Sequence, residues 1–156
     1  MAQDQEAEEN ERKYRFDGEL AQVMSEADKR LVIEQHYLAA DPGFECRVRK
    51  TMKDGEATFS LGIKVGGFEQ SRFEISKPIT EASFLASAEF SIGSITKSRY
   101  DFGNGLTLDV INRPGDTPLV LVELEGAQHE PPSWVGEEVT GLPKFYNSVL
   151  SGARTL

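Results

Sequence analysis

From Phe44 onward the chain alternates apolar and polar residues with a period of two, the pattern of strands with one apolar face. Phe44, Cys46 and Val48 fall on one face; Glu45, Arg47 and Arg49 fall on the other. Phe59, Leu61 and Ile63 then oppose Ser60, Gly62 and Lys64, and Phe73 and Ile75 oppose Arg72, Glu74 and Ser76. Lys53-Asp54-Gly55 and Gly66-Gly67 mark turns between these strands. Two further strands are expected between Ile95 and Ile111, broken at Gly103-Asn104-Gly105, and another from Leu119 to Glu125 after Pro114-Gly115-Asp116. Thr80 to Phe90 reads as a helix capped by Thr80, with Glu81 in its first turn and Phe84, Leu85 and Ala88 as an apolar stripe. The stretch from Ser25 to about Leu38 is mixed, and Ser25 is a candidate cap for a short helix with Glu26 and Asp28 in its first turn. Asp41-Pro42-Gly43 reads as a turn, and the segment from Leu142 to Leu150 as a last short helix. The pattern predicts seven or eight strands joined mostly by hairpins, with two or three helices: a mainly β chain of the α+β kind. Residues 1–8 read as a polar, frayed tail, so the ordered domain is expected to span 9–150.

Composition narrows the class. The 156 residues suit one domain with a sizeable core. A net charge of −9 argues against a broad nucleic-acid surface, though not against a local basic pocket. No apolar run is long enough to span a membrane, and the N-terminus is acidic, so a cytoplasmic location is expected. The single cysteine, Cys46, excludes an internal disulfide and a Cys-rich metal site.

The candidate chemistry lies on the polar strand faces. Residues i and i+2 of a strand point the same way. Glu9, Glu11 and Lys13 therefore share a face, as do Arg47 and Arg49, Arg72 and Glu74, Lys97 and Arg99, and Glu123 and Glu125. Lys64 and Asp109 stand alone on the polar sides of their strands. A solvated outer sheet face is the ordinary explanation of such pairs. Like charges adjacent along one strand, however, stabilise a free surface poorly. They become useful where a ligand or metal neutralises them. If the sheet closes on itself, these faces can line a lumen rich in both cations and carboxylates. Arginine and lysine suit polyphosphate oxygens, and carboxylates suit the hard divalent ions that bridge phosphates. Cys46 falls on the apolar face, where packing is its expected role.

Short motifs in this order resemble the CYTH domain, or triphosphate tunnel metalloenzyme superfamily. Glu9-Asn10-Glu11-Arg12-Lys13 matches its ExExK signature. Gln35-His36-Tyr37-Leu38 is similar to its QGYL segment, with His36 in place of glycine. Arg47-Val48-Arg49 resembles RxR, and Leu61-Gly62-Ile63-Lys64 resembles LTxK with Gly62 in place of threonine. Arg72-Phe73-Glu74 resembles the start of RxExE, with Ser76 in place of the last glutamate. Lys97-Ser98-Arg99, Glu123-Leu124-Glu125 and Gly136-Glu137-Glu138-Val139-Thr140 resemble KxR, ExE and GxEVT.

The resemblance implies an eight-stranded antiparallel closed tunnel barrel with a few flanking helices. It implies Glu9, Glu11, Glu123 and Glu125, helped by Glu74, as ligands of Mg²⁺ or Mn²⁺. It implies Lys13, Arg47, Arg49, Lys64, Arg72, Lys97 and Arg99 as the residues that bind triphosphate oxygens. The expected function is metal-dependent hydrolysis of inorganic triphosphate to pyrophosphate and phosphate. The alternatives are a class IV-type adenylate cyclase, a thiamine or nucleoside triphosphatase, and a protein that binds polyphosphate without turnover. The expected partner is a small-molecule triphosphate or nucleotide, with no nucleic acid and no membrane; outward apolar strand faces leave room for a homodimer. His36 is not expected to be a general catalyst, His129 is expected in an exposed loop, and Trp134 is expected to pack rather than to stack on a base.

Overall fold

The computed structural model describes residues 5–68, 71–126 and 130–155. Eight strands form the framework: β1 (Gln5–Phe16), β2 (Lys29–Asp41), β3 (Phe44–Lys53), β4 (Glu56–Val65), β5 (Ser71–Pro78), β6 (Gly93–Asp101), β7 (Leu106–Ile111) and β8 (Leu119–Glu125). They hydrogen-bond in the order β5-β4-β3-β2-β6-β7-β8-β1, and β1 pairs again with β5. The sheet therefore closes into an eight-stranded antiparallel barrel, as the resemblance implied. β1 makes the closure by serving two neighbours in turn. Its residues 5–10 pair with β5, and residues 11–15 pair with β8. Such division is what a strand tilted across a barrel does. β1 begins ahead of the Glu9 boundary expected for the domain, because Glu6, Ala7 and Glu8 already pair with Ile75, Glu74 and Phe73.

Three elements differ from expectation. Helix α1 is Leu20–Ser25, so Ser25 ends a helix rather than starting one, and its hydroxyl donates to the Gln22 carbonyl at 2.6 Å. The stretch that follows is strand β2. Its burial alternates because Ile33, Gln35 and Tyr37 point inward while Val32, Glu34 and His36 point outward. A ninth short strand, β9 (Val135–Glu138), adds to the end of β1 beside Tyr14 and Phe16. Helix α2 (Glu81–Ala88) forms as expected. Thr80 caps it by accepting from the Ser83 N–H at 3.0 Å, and Phe84 buries against Phe59 and His36 outside the barrel. The last segment forms a 3₁₀ turn, Pro143–Phe145, and a short helix α3 (Asn147–Leu150). No helix among the described residues is long and apolar enough to cross a membrane.

The lumen is not polar throughout. Ile95, Ile111 and Leu121 share inward parity with the charged residues of their strands, Ile33 shares it with Gln35 and Tyr37, and all four are at most 5% exposed. Ile95, Ile111 and Leu121 pack with Val139 and Phe145 of the C-terminal segment, which covers one end of the barrel. Outside, Tyr14, Val122 and Leu124 pack under Phe16, Trp134 and Val135. Trp134 is thus a packing residue, tilted against Phe16 and Phe102. The outer faces of β3, β4 and β5 leave Phe44, Val65 and Phe73 exposed in adjacent register.

The turn between β6 and β7 carries three positive-φ residues, Gly103, Asn104 and Gly105. Gly105 sits tightest: a Cβ there would lie 2.4 Å from the Glu125 carbonyl oxygen. Gly105→Ala is therefore expected to lower folding stability by about 1–3 kcal/mol, read from the urea midpoint.

Candidate active site

Strand parity carries most of the expected residues to one place. Glu11, Lys13, Arg47, Arg49, Lys64, Arg72, Glu74, Arg99, Glu123 and Glu125 line a single cavity of about 490 Å³ inside the barrel. That volume suits a small-molecule site. Glu9 stands opposite Arg72 in the β1–β5 ladder, but its side chain lies outside the described positions. His129 also lies outside the described residues. His36 is on the outer face, its ring nitrogen 2.6 Å from the Glu34 carboxylate.

The two walls of the cavity differ. On the wall made by β1, β6, β7 and β8, charges are paired at short range. Lys13 Nζ donates to Glu123 Oε1 at 3.0 Å, and Arg99 Nη2 donates to Glu123 Oε2 at 3.1 Å. Arg99 also grips Asp109 with two bonds of 2.8 Å, and Lys97 Nζ donates to Asp109 at 2.7 Å. Burial alone would raise the Glu123 carboxyl, but Lys13, Arg99 and Lys97 hold it well below the usual carboxylate range. Glu11 stands directly opposite Glu125, and Glu123 opposite Lys13. This wall therefore concentrates carboxylate oxygens.

On the wall made by β3, β4 and β5, cations dominate. Arg47 Nη2 is 3.8 Å from Glu74, Lys64 Nζ is 3.4 Å from the same oxygen, and Arg72 Nη1 is 3.4 Å from Glu45. Arg72 Nη1 is buried and makes no hydrogen bond. Arg49 donates from Nε to the Gln35 amide oxygen at 2.7 Å, and from Nη2 to the same atom. Burial, with repulsion from Arg47 and Arg99, pushes Arg49 down to about 9, which leaves it charged at neutral pH. The longer pairings of Arg47 and Arg72 leave their guanidinium groups able to turn toward an anion.

Lys97 is not at the cavity surface. It lies behind Arg99, 1% exposed, with Asp109. Asp109 is kept ionised against burial by Arg99 and Lys97. With Arg99 gripping the same carboxylate, Lys97 is the surplus cation. Burial pushes it down to about 7, against the pull of Asp109. A lysine pKa depressed on folding means that the unfolded chain binds more protons between pH 7 and about 10.5. Stability is therefore expected to rise with pH through that window. The measurement is the urea midpoint from pH 6.5 to 9.5, and the rise should be reduced in Lys97→Met.

Gln35, of the QGYL-like segment, orients Arg49 from behind the cavity surface. Several lining residues carried no motif: Glu45 contacts Arg72 and accepts from Ser148 Oγ at 2.6 Å. Asp101, Tyr146 and Asn147 also line the cavity. Glu45 and Asp101 lie two residues from Arg47 and Arg99, so strand parity was the signal that could have found them. Two of the three departures from the motifs face each other, since Gly62 pairs with Ser76 across the β4–β5 ladder. Gly62 leaves room that Arg47 occupies: a Cβ there would lie 2.5 Å from Arg47 Nη1.

The donors suit a hard divalent ion. Glu11, Glu123 and Glu125 offer only oxygen, on one wall, facing the cationic wall of β3, β4 and β5. Among the described residues no three such side chains already converge as a formed metal cage.

No protein-family model matches the chain. An inorganic triphosphatase from Acetivibrio thermocellus is 31% identical over 128 residues, covering 78% of this chain and 81% of that protein. The crystal structure of the hypothetical protein NE1496 is similar at a TM-score of 0.57 and 27% identity, over 92% of this chain and 97% of that one. PH1819 of Pyrococcus horikoshii shares the fold at a TM-score of 0.57 and 20% identity, over 77% and 79% of the two chains. A candidate adenylate cyclase from Bacillus halodurans does so at 0.53 and 16%, over 79% and 82%. A closed barrel with charged inner walls, an ordered set of motifs and a relative of this identity and coverage agree: the chain belongs to the CYTH, or triphosphate tunnel metalloenzyme, superfamily.

Proposed function

We propose that the protein hydrolyses inorganic triphosphate to pyrophosphate and phosphate with the help of Mg²⁺ or Mn²⁺. The observation that carries this reading is the opposition of the two walls. Arg47, Arg49, Lys64 and Arg72 crowd one side of a cavity whose other side presents Glu11, Glu123 and Glu125. A polyphosphate with a divalent ion satisfies both sides at once. The similarity to an inorganic triphosphatase supports the choice of substrate.

In this reading the β3–β5 cations bind and orient the phosphate chain. Their charge is already in place, so it stabilises the negative charge that shifts toward the leaving pyrophosphate. Lys13 and Arg99 hold Glu123 ionised and fixed, which keeps an oxygen donor ready on the facing wall. Glu11, Glu123 and Glu125, with Glu9 by strand parity and Glu74 from the cationic side, would hold the ion. When bound, the ion supplies Lewis-acid charge neutralisation at the phosphates. Cys46 lies on the outer strand face, so the hydrolysis is assigned to water and not to a thiol nucleophile.

The test is phosphate release from inorganic triphosphate, with ATP and thiamine triphosphate in parallel, each with Mg²⁺, with Mn²⁺ and with excess chelator. Metal-dependent release from inorganic triphosphate, abolished by chelator and restored by metal, is the expected result. Conversion of ATP to cyclic AMP and pyrophosphate would move the protein to the cyclase reading. Tight binding with no turnover of any substrate would make it a binding protein.

A further inference from the structure

The two ends of the cavity are unlike. At one end lie Asp101, the Gly103-Asn104-Gly105 turn and Glu125. At the other lie Glu45, Tyr146 and Asn147, beneath the C-terminal segment. That segment is fixed in place. The Val139 N–H donates to the Lys13 carbonyl at 2.7 Å, and the Tyr146 ring stacks on Phe68 at 4.2 Å. We infer that Glu45 is a positioning residue that stops a polyphosphate chain short of this floor and thereby sets which anhydride is cleaved. The inference rests on the triphosphatase reading above.

Glu45 lies on the same strand face as Arg47 and Arg49, one step closer to the start of β3. A chain that enters past Glu125 meets Arg49, then Arg47, and then Arg72 with Glu45 beside it. Arg72 reaches that floor, over the Tyr146 ring as Lys13 does, and its Nη1 is buried without a hydrogen bond. A phosphate drawn to it must approach Glu45, whose oxygen is 3.4 Å away. Glu45 cannot swing aside easily. It is 6% exposed, and the Ser148 hydroxyl donates to its second oxygen at 2.6 Å. Attraction to the arginines and repulsion from Glu45 then balance at one depth. That depth fixes which bridging oxygen faces the Glu11–Glu123–Glu125 wall. A merely structural Glu45 would neutralise Arg72, and its loss would alter stability without altering which bond breaks.

Inorganic triphosphate cannot report the difference, because cleavage of either anhydride gives the same products. Tetrapolyphosphate can. Water attacking the outer anhydride gives phosphate and triphosphate; attack at the middle anhydride gives two pyrophosphates. In each case the water oxygen bonds to one phosphorus, the bridging oxygen leaves with the other, and the water's protons pass to the products or solvent.

The experiment compares wild type with Glu45→Gln, following the first products from tetrapolyphosphate by phosphorus NMR. Glu45→Gln is expected to change the ratio of the two product sets by at least about threefold. On inorganic triphosphate, KM should fall because a repulsive charge is gone, and kcat should fall because fewer bound chains sit in register. An unmoved product ratio in a folded, active Glu45→Gln protein overturns the inference. If that variant does not fold, Ser148→Ala keeps the charge but releases the carboxylate, and it must move the ratio; an unmoved ratio there likewise overturns it. Absence of hydrolysis by the wild-type protein would overturn the triphosphatase reading and this inference with it, whereas hydrolysis with unaltered products overturns this inference alone.

Discussion

Asp109→Asn is expected to cost about 3–5 kcal/mol of folding stability, the scale for breaking a buried charge cluster from one side. Asp109 is 1% exposed and accepts two bonds from Arg99 and one from Lys97. An asparagine keeps the shape but loses the charge. One end of its amide would also present N–H groups to a cation, donor against donor. Lys97, already pushed down to about 7 by burial, would lose the charge that most supports its protonated form. Arg99 would keep Glu123 alone, and Glu123 is shared with Lys13. The measurement is the urea midpoint at unchanged m-value. The double variant Asp109→Asn, Lys97→Met should recover part of the loss, since it removes the cation left without support. A cost below about 1 kcal/mol for Asp109→Asn would show that water reaches the cluster and that the pairing is a surface one.

That cluster marks the boundary of what the chain discloses before it folds. The polar faces were legible because parity survives any closure of the sheet: Arg47 with Arg49, and Glu123 with Glu125, keep company whether they face water or a lumen. Depth along the lumen was not legible. Lys97 and Arg99 share parity, yet Arg99 reaches the cavity while Lys97 is walled off beside Ile95 and Ile111. Which end of the barrel is filled depends on Val139 and Phe145, forty or more positions beyond Arg99 in the chain. The α1–β2 region misled for a local reason. Ser25-Glu26 imitates a helix start, but the serine hydroxyl instead bonds backward to Gln22 and closes a helix. β9 carried little signal of its own, because its partner is the end of β1. Glu45 was visible on the right face and went unremarked, since its partner Ser148 lies in a segment whose docking the strand pattern does not reveal.

The opposed pair Glu11 and Glu125 yields a second result of large expected size, in activity rather than stability. Glu125→Gln should reduce metal-dependent turnover about a hundredfold or more, as loss of a ligand exceeds the usual cost of disturbing a group behind one. Stability should stay level or rise by up to about 0.5 kcal/mol, because like charges directly opposite on neighbouring strands repel. Glu125 is exposed at the barrel rim and stands across from Glu11 in the β1–β8 ladder. The paired readouts separate the two roles a carboxylate can play here. Asp109 behind the wall is expected to trade in stability, and Glu125 at the mouth in function. If turnover needs about tenfold more Mg²⁺ or Mn²⁺ for half-saturation in Glu125→Gln, the lost activity is lost metal affinity. Unchanged turnover at limiting metal would remove Glu125 from the metal site and shift that role to Glu11 and Glu123. Two carboxylates held opposite each other at a tunnel mouth have a physical rationale where a cation enters between them, and the metal titration measures whether one does.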